Sequence, residues 1–194
     1  MEQNVLFPIF LKASQLDILI VGGGHVGLEK LTFLLKSSPD AKVQIVASTF
    51  LKEIVALAKQ YKLSLIQDNY DKKYLEGKHI VVATTNDVRV NEQVYKDCKA
   101  RDILVNVADN PPFCDFYMGG IVTKGHVKLA ISTNGKSPTI AKRLRQFFEA
   151  VIPDNIDELV TNLNTYRKTI KGDFKKKVDT LNELTERLIK NHKD

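Results

Sequence analysis

A mostly parallel, doubly wound α/β sheet, followed by a hairpin and an all-helical end, is the fold class that this 194-residue sequence predicts. Three observations predict it. Short apolar runs and helix-period segments alternate through the first two thirds of the chain, the rhythm of βαβ units. The run Ile18-Leu19-Ile20-Val21 leads directly into Gly22-Gly23-Gly24-His25-Val26-Gly27, a glycine turn between a strand and a helix. After Asp109-Asn110-Pro111-Pro112 the alternation stops, and beyond Pro153 no strand pattern returns.

Each element has its own signal. Ile18 to Val21 is continuously apolar, as a strand buried on both faces must be. His25 to Leu35 is helical, with Val26, Leu31, Leu34 and Leu35 on one stripe. Val43 to Val46 is the second strand. Leu51 to Gln60 is a helix whose Leu51, Ile54, Val55 and Ala58 share a face. Leu63 to Ile66 and His79 to Ala83 are strands, Val88 to Ala100 is a helix, and Ile103 to Val107 is the fifth strand. Gly120 to Thr123 and Val127 to Ser132 flank Lys124-Gly125-His126 and read as a hairpin. Ser137-Pro138 supplies a cap and a proline at the first helical position, so a helix runs from Pro138 to about Ala150. Two further helices follow Pro153, separated near Gly172.

The glycine turn carries a chemistry. Gly22 lets the chain leave the strand sharply, Gly24 leaves the backbone open to a pyrophosphate, and Gly27 lets the helix approach the sheet. The helix start adds N–H groups and a partial positive charge. Strand, glycine turn and helix together point to a Rossmann-type dinucleotide site; a glycine-rich turn in another α/β protein is the plainer alternative. At the end of the second strand an NAD domain commonly has an acidic residue. Here stand Ala47-Ser48-Thr49. The hydroxyls of Ser48 and Thr49 either bond a ribose or, for Thr49, cap a helix. No arginine stands there for a 2′-phosphate, which favours NAD over NADP.

Two further strand ends face the same crevice: Thr84-Thr85-Asn86-Asp87 and Asn106-Val107-Ala108-Asp109. Asp109 is either a turn residue before Asn110-Pro111 or a catalytic carboxylate. The backbone of His25 belongs to the glycine turn. His79 reads as structural and His126 as solvated in a hairpin turn. Four histidines and two cysteines, Cys98 and Cys114, show no metal-ligand spacing, so no structural metal is expected. The cysteines read as reduced thiols of a cytoplasmic protein.

The net charge of +6 admits nucleic acid, a membrane surface or a polyanionic small molecule as partner. Lys175-Lys176-Lys177 is the one dense basic run and no nucleic-acid motif accompanies it, so it reads as a solvated helix face. No signal peptide or membrane-spanning run is evident, and neither nucleic acid nor membrane is expected as a partner.

Several motifs in order resemble the precorrin-2 dehydrogenase family, which includes the N-terminal part of siroheme synthase. They are Leu6 to Leu11, Val21 to Gly27 with Lys30, Val82 to Asp87 with Asn91, Val105 to Asp109 with Cys114-Asp115-Phe116, and Ala130 to Pro138 with Ala141, Arg143, Leu144 and Arg145. The sequence departs from the family pattern at Gly27, often alanine in relatives, and at Gly119-Gly120, where a proline and a small residue are usual. The resemblance implies an NAD-dependent oxidation of precorrin-2 to sirohydrochlorin, in some members joined by insertion of ferrous iron to give siroheme. It implies a homodimer. Residues 1–112 would bind NAD, 113–150 would form the dimerisation region and 151–194 a helical C-terminal domain.

Carried over residue by residue, the family's cofactor contacts fall on His25, Val26, Ser48 and Thr49, and its essential aspartate on Asp109; Gly22, Gly24 and Gly27 of the glycine turn and Thr84 after the fourth strand are expected to join them at the cofactor. A serine phosphorylated in some relatives falls on Thr133, beside Ser132. Ser132, Thr133, Lys136 and Arg143 are expected to hold the acidic substrate; Lys142 and Arg145 add to the positive charge of that helix. A chain ending at Asp194 is expected to lack the methyltransferase part of the trifunctional relatives. Two readings compete: a chelatase without a redox role, and a non-catalytic nucleotide- or tetrapyrrole-binding protein. The intact glycines weigh against the chelatase reading.

Overall fold

The computed structural model describes residues 4–186 and divides into two compact units. The first unit runs to Gly119 and includes Ser132–Pro138. Its strands are β1 (Asp17–Val21), β2 (Lys42–Ala47), β3 (Ser64–Gln67), β4 (Ile80–Ala83) and β5 (Leu104–Val107), all parallel in the order β3-β2-β1-β4-β5. Helices α1 (His25–Ser37), α2 (Lys52–Tyr61) and α3 (Val88–Lys99) make the crossovers. The predicted doubly wound α/β sheet is therefore the observed one.

Strand alternation divides the core between two faces. Ile18 and Ile20 join Ile45 and Val82 in a layer covered by Leu31 and Leu35 of α1 and Ile54 of α2. Leu19 and Val21 join Val81, Ala83 and Val105 in the other layer, under Val94 and Cys98 of α3 and Leu75 of a short 3-10 turn, Lys72–Leu75. Each of the buried Val, Leu and Ile side chains among them contributes about 1.5–3 kcal/mol of burial.

Element ends shift by a residue or so from expectation, for local reasons. Leu51 is the N-cap of α2 rather than its first residue. Lys62, at φ 56°, ends that helix in the left-handed region and carries Leu63 into a bond with the Ala58 carbonyl, so β3 starts at Ser64. His79 is structural as expected: its Nδ1 accepts the Asp17 N–H at 3.0 Å.

Beyond β5 the chain turns back along the sheet edge. The Asp115 N–H donates to the Val105 carbonyl at 2.8 Å, and the Asp115 carboxylate accepts the Val105 N–H at 3.1 Å and Lys99 Nζ at 2.8 Å.

The second unit comprises the antiparallel hairpin β6 (Gly120–Lys124) and β7 (Val127–Ile131), with α4 (Pro138–Val151) from Thr139 onward, α5 (Ile156–Thr169) and α6 (Phe174–Thr185). The predicted break near Gly172 lies between α5 and α6. The expected helical continuation over residues 187–194 lies outside the described residues. The hairpin turn is pinned to the α4–α5 connection. Lys124 Nζ donates to the Ile152 carbonyl and to Asp154 Oδ1, both at 2.6 Å. Asp157 Oδ1 accepts the His126 N–H and lies 2.6 Å from His126 Nδ1. His126 is thus exposed but partnered, which corrects its reading as merely solvated. Gly125, at φ 54°, is required beneath that carboxylate, since a β-carbon there would lie 2.1 Å from Asp157 Cγ.

Among the described residues, no helix is long and apolar enough to cross a membrane.

Candidate functional site

The carboxyl ends of all five parallel strands open into one crevice, whose two clefts share Thr84, Thr85 and Asn86. A cleft of about 450 Å³ lies over β1, β2 and β3, between the glycine turn, Ser48-Thr49 and Asp68-Asn69-Tyr70. A cleft of about 300 Å³ lies over β4 and β5, between Val26, Asn86 and Ala108-Asp109-Asn110. Connections to either side of β1 run in opposite directions along the sheet, so the crevice stands at the topological switch point where open α/β sheets bind ligands.

Three glycines of the turn are required by close approach. Gly22 sits at φ 124°, and a β-carbon on it would lie 2.6 Å from Thr84 Oγ1. A β-carbon on Gly27 would lie 2.4 Å from the Gly22 carbonyl oxygen, so this glycine lets α1 seat on the turn itself. Gly23 is hemmed in by the β2–α2 loop: its β-carbon would lie 2.1 Å from the Thr49 carbonyl oxygen. Sequence reasoning missed Gly23, and the run of three glycines was its only signal.

Gly24 differs. A β-carbon on it would meet nothing within 4 Å, so its bare face looks into open space. It is the N-cap of α1 and supplies no side-chain cap, and the first turn of the helix holds no acidic residue. The N–H groups of His25 and Val26 therefore have no side-chain cap at a helix start of positive potential. These residues fit the pyrophosphate of a dinucleotide: a cradle that a side chain would fill, lined by N–H donors.

Ser48 and Thr49 are exposed on the larger cleft. Neither caps α2, whose N-cap, Leu51, makes no side-chain bond. Thr84 lines both clefts, but its buried hydroxyl donates to the Val21 carbonyl at 2.9 Å, bracing the glycine turn from below. The next residue is braced as well. Asn91, almost fully buried on α3, donates Nδ2–H to the Thr85 carbonyl at 2.9 Å and accepts the Thr85 N–H and hydroxyl at 3.2 and 2.7 Å. Asp87 caps α3 by accepting the Arg89 N–H at 2.9 Å.

Asp109 stands exposed at the mouth of the smaller cleft, at φ 57°. A left-handed backbone is unusual outside glycine, and such outliers gather at functional sites. The turn is supported from below. Cys114 Sγ lies 3.2 Å from the Val107 carbonyl oxygen and 3.3 Å from that of Asn110, and burial pushes its thiol up from the usual range. Asn106 Nδ2 donates to the Phe116 carbonyl at 2.8 Å. Phe113, in the 3-10 turn Pro111–Phe113, stacks on Tyr95 of α3 with centroids 4.5 Å apart.

The structure distributes the residues expected to hold substrate. Ser132, Thr133 and Lys136 belong to the first unit and Arg143 to the second. Thr133 Oγ1 donates to the Ser137 carbonyl at 3.1 Å and accepts its N–H at 3.3 Å, while Ser132 Oγ accepts the Asn134 N–H at 3.1 Å. Arg143 is exposed on α4 and donates to Gln146 at 3.0 Å. Among the described residues, no group of three or more His, Cys, Asp or Glu is placed to hold a metal ion.

Fold and crevice together define a Rossmann-type nucleotide-binding protein. A family model described as "Putative NAD(P)-binding" matches residues 9–120, and the chain belongs to that family. A second, described as "Sirohaem biosynthesis protein central", matches residues 124–150. Among similar proteins are siroheme synthases from Psychrobacter sp. (strain PRwf-1), 40% identical over 86% of this chain and 34% of the relative, and from Pseudoalteromonas translucida (strain TAC 125), 37% identical over 87% of this chain and 35% of the relative. The chain thus spans about a third of the length of these curated relatives. The solved structure of SirC, a precorrin-2 dehydrogenase, shares the fold with a TM-score of 0.73 at 24% identity, over 92% of this chain and 89% of that one. The expected resemblance to the precorrin-2 dehydrogenase and siroheme synthase N-terminal family is thereby shown.

Proposed function

We propose that this protein oxidises precorrin-2 to sirohydrochlorin with NAD. The observation that carries the proposal is one crevice with the open face of Gly24 at the start of α1 and, past the shared wall of Thr84 to Asn86, the carboxylate of Asp109 on a left-handed backbone. NAD, when bound, accepts the hydride. Gly22 to Gly27 and the N–H groups opening α1 hold the pyrophosphate, and Ser48 and Thr49 bond a ribose. Asp109 accepts the proton that leaves the tetrapyrrole as the hydride departs, a general-base role. NAD is preferred to NADP because the charged residues lining the larger cleft are Asp68 and Asp87, with no lysine or arginine for a 2′-phosphate.

Ser132, Thr133, Lys136 and Arg143 are each proposed to meet an acidic group of the substrate, a role suited to a basic chain. The active form is a homodimer: Ile140, Leu144, Phe147 and Val151 lie at helical spacing on α4 and are 38–57% exposed, an apolar stripe that a second copy covers. An anaerobic assay with precorrin-2 and NAD, followed at the NADH absorbance, tests the oxidation; well-folded protein that makes no NADH removes the assignment.

A second reaction is favoured by the exposure of Asp109 and by the name siroheme synthase carried by the relatives. Inserting ferrous iron into sirohydrochlorin displaces pyrrole N–H protons, which the same carboxylate would accept. Siroheme formation from sirohydrochlorin and ferrous iron measures this separately.

A further inference from the structure

We propose that Asp68 is the base-selecting residue of the dinucleotide site, accepting a hydrogen bond from the exocyclic amine of a 6-aminopurine. The inference rests on the dinucleotide reading above and deepens it. The pyrophosphate cradle ends β1, Ser48 and Thr49 end β2, and Asp68-Asn69-Tyr70 end β3, the edge strand. Adjacent strands stand about 4.8 Å apart, so the β3 loop lies about 10 Å sideways from the cradle. A dinucleotide with its phosphates over β1 and its ribose over β2 therefore brings its base to the β3 loop.

The loop is held in place from three sides. The Asp68 N–H donates to the Ala47 carbonyl at 3.1 Å, tying the loop to the residue before Ser48. The Tyr70 hydroxyl donates to Asp97 of α3 at 3.0 Å. The Asp68 carboxylate accepts the Tyr74 hydroxyl at Oδ2 and the Asn69 N–H at Oδ1, the latter at 2.8 Å, with Lys73 Nζ at 3.6 Å. Those partners, the Tyr74 hydroxyl above all, hold the carboxyl below the usual aspartate range, so it is ionised. Its companion in the cleft, Asp87, is committed to capping α3.

An ionised carboxylate is an acceptor only. Adenine presents an amine donor at its six position. Hypoxanthine presents a carbonyl oxygen there, which an anionic acceptor repels. Selection for adenine follows from the charge state of one side chain.

The test is isothermal titration of the full chain with NAD and with nicotinamide hypoxanthine dinucleotide, for the wild type, Asp68→Asn and Asp68→Ala. Thermal melting checks that each variant is folded. The expected wild-type preference for NAD is about tenfold or more, the size of one charge-assisted hydrogen bond. Asp68→Asn, whose amide both donates and accepts, is expected to bring the two dinucleotides within about threefold of one another, and Asp68→Ala to do the same with weaker binding of NAD. Equal wild-type affinity for both dinucleotides, or full discrimination retained by both folded variants, overturns the role of Asp68 while leaving the dinucleotide site standing. Absence of any NAD binding by the wild type overturns the dinucleotide reading and this inference with it.

Discussion

The hydroxyl of Thr84 lies directly beneath Gly22. It donates to the Val21 carbonyl at 2.9 Å and stands only 2.6 Å from where a β-carbon on Gly22 would be. The strand-four threonine and the first glycine of the turn are therefore one fitted pair. Thr84→Val is expected to lose the hydrogen bond, at about 1 kcal/mol, and to weaken NAD binding by loosening the turn. Thr84→Ser keeps the donor and should bind NAD nearly as well as the wild type. Urea denaturation and NAD titration of both variants check this; a tight-binding, fully stable Thr84→Val would contradict it.

Gly23 is pressed against backbone rather than against a flexible side chain. Gly23→Ala places a methyl 2.1 Å from the Thr49 carbonyl oxygen, so the β2–α2 loop must move. A stability loss of about 1–3 kcal/mol is expected, together with weaker NAD binding because Ser48 and Thr49 ride on that loop. Unchanged affinity in a destabilised variant would separate those two residues from the cofactor.

Asp109 combines a proposed chemical role with a left-handed backbone at φ 57°. Asn tolerates that conformation, Ala does not, and Gly adopts it without strain. Turnover of precorrin-2 should fall about 100-fold or more in all three variants. Stability should follow a different order, with Asp109→Gly and Asp109→Asn about 1 kcal/mol or more above Asp109→Ala. Activity and stability thus part company at one position. Near-normal turnover by Asp109→Asn would reduce Asp109 to a turn residue.

The hairpin clamp of the second unit predicts a pH dependence. Backbone and side-chain bonds from His126 hold Asp157 below its ordinary value of 3.8, and Lys124 does the same for Asp154. A depressed carboxylate stabilises the fold above its unfolded value and ceases to do so as pH falls through its folded value. Thermal melting should therefore be flat from neutral pH down toward 4 and decline below it. Asp157→Asn should flatten part of that decline, and an unaltered acid limb in this variant would remove the clamp as its cause.

Phe147→Glu places a charge in the exposed stripe of α4, where Phe147 is 57% exposed. If a second copy covers that stripe, light scattering should show the wild type at about twice 21.9 kDa and the variant near 21.9 kDa. A wild-type monomer at micromolar concentration would end the homodimer proposal.

The sheet was legible because local signals and tertiary burial agree there. Ile18 to Val21 reads as apolar without interruption, and its residues fill both core layers in alternation. Gly22, Gly24 and Gly27 were legible from spacing, though spacing alone does not show that Gly27 rests on the Gly22 carbonyl. What stayed hidden depends on strand order or on distant partners. Asp68 sits in a short polar turn without periodicity, and only the sequence β3-β2-β1 across the sheet brings it to the crevice. His126 looked solvated because its partner Asp157 is 31 residues away. Thr84 reads as a ligand contact from its place after the fourth strand, and the bond from its hydroxyl to the Val21 carbonyl, 63 residues away, has no local signal.

The returning segment at Asp115 has a consequence outside the crevice. β5 is an edge strand, and an uncovered edge invites another chain to add its own strand. Here the Val105 carbonyl and N–H are both occupied, the first by the Asp115 backbone and the second by its carboxylate. Lys99 neutralises that carboxylate and adds a hydrated cation to the rim. The tract of chain that presents Asp109 thereby also serves as a guard against edge-to-edge aggregation, so loss of the Asp115 side chain would surface as reduced solubility during expression.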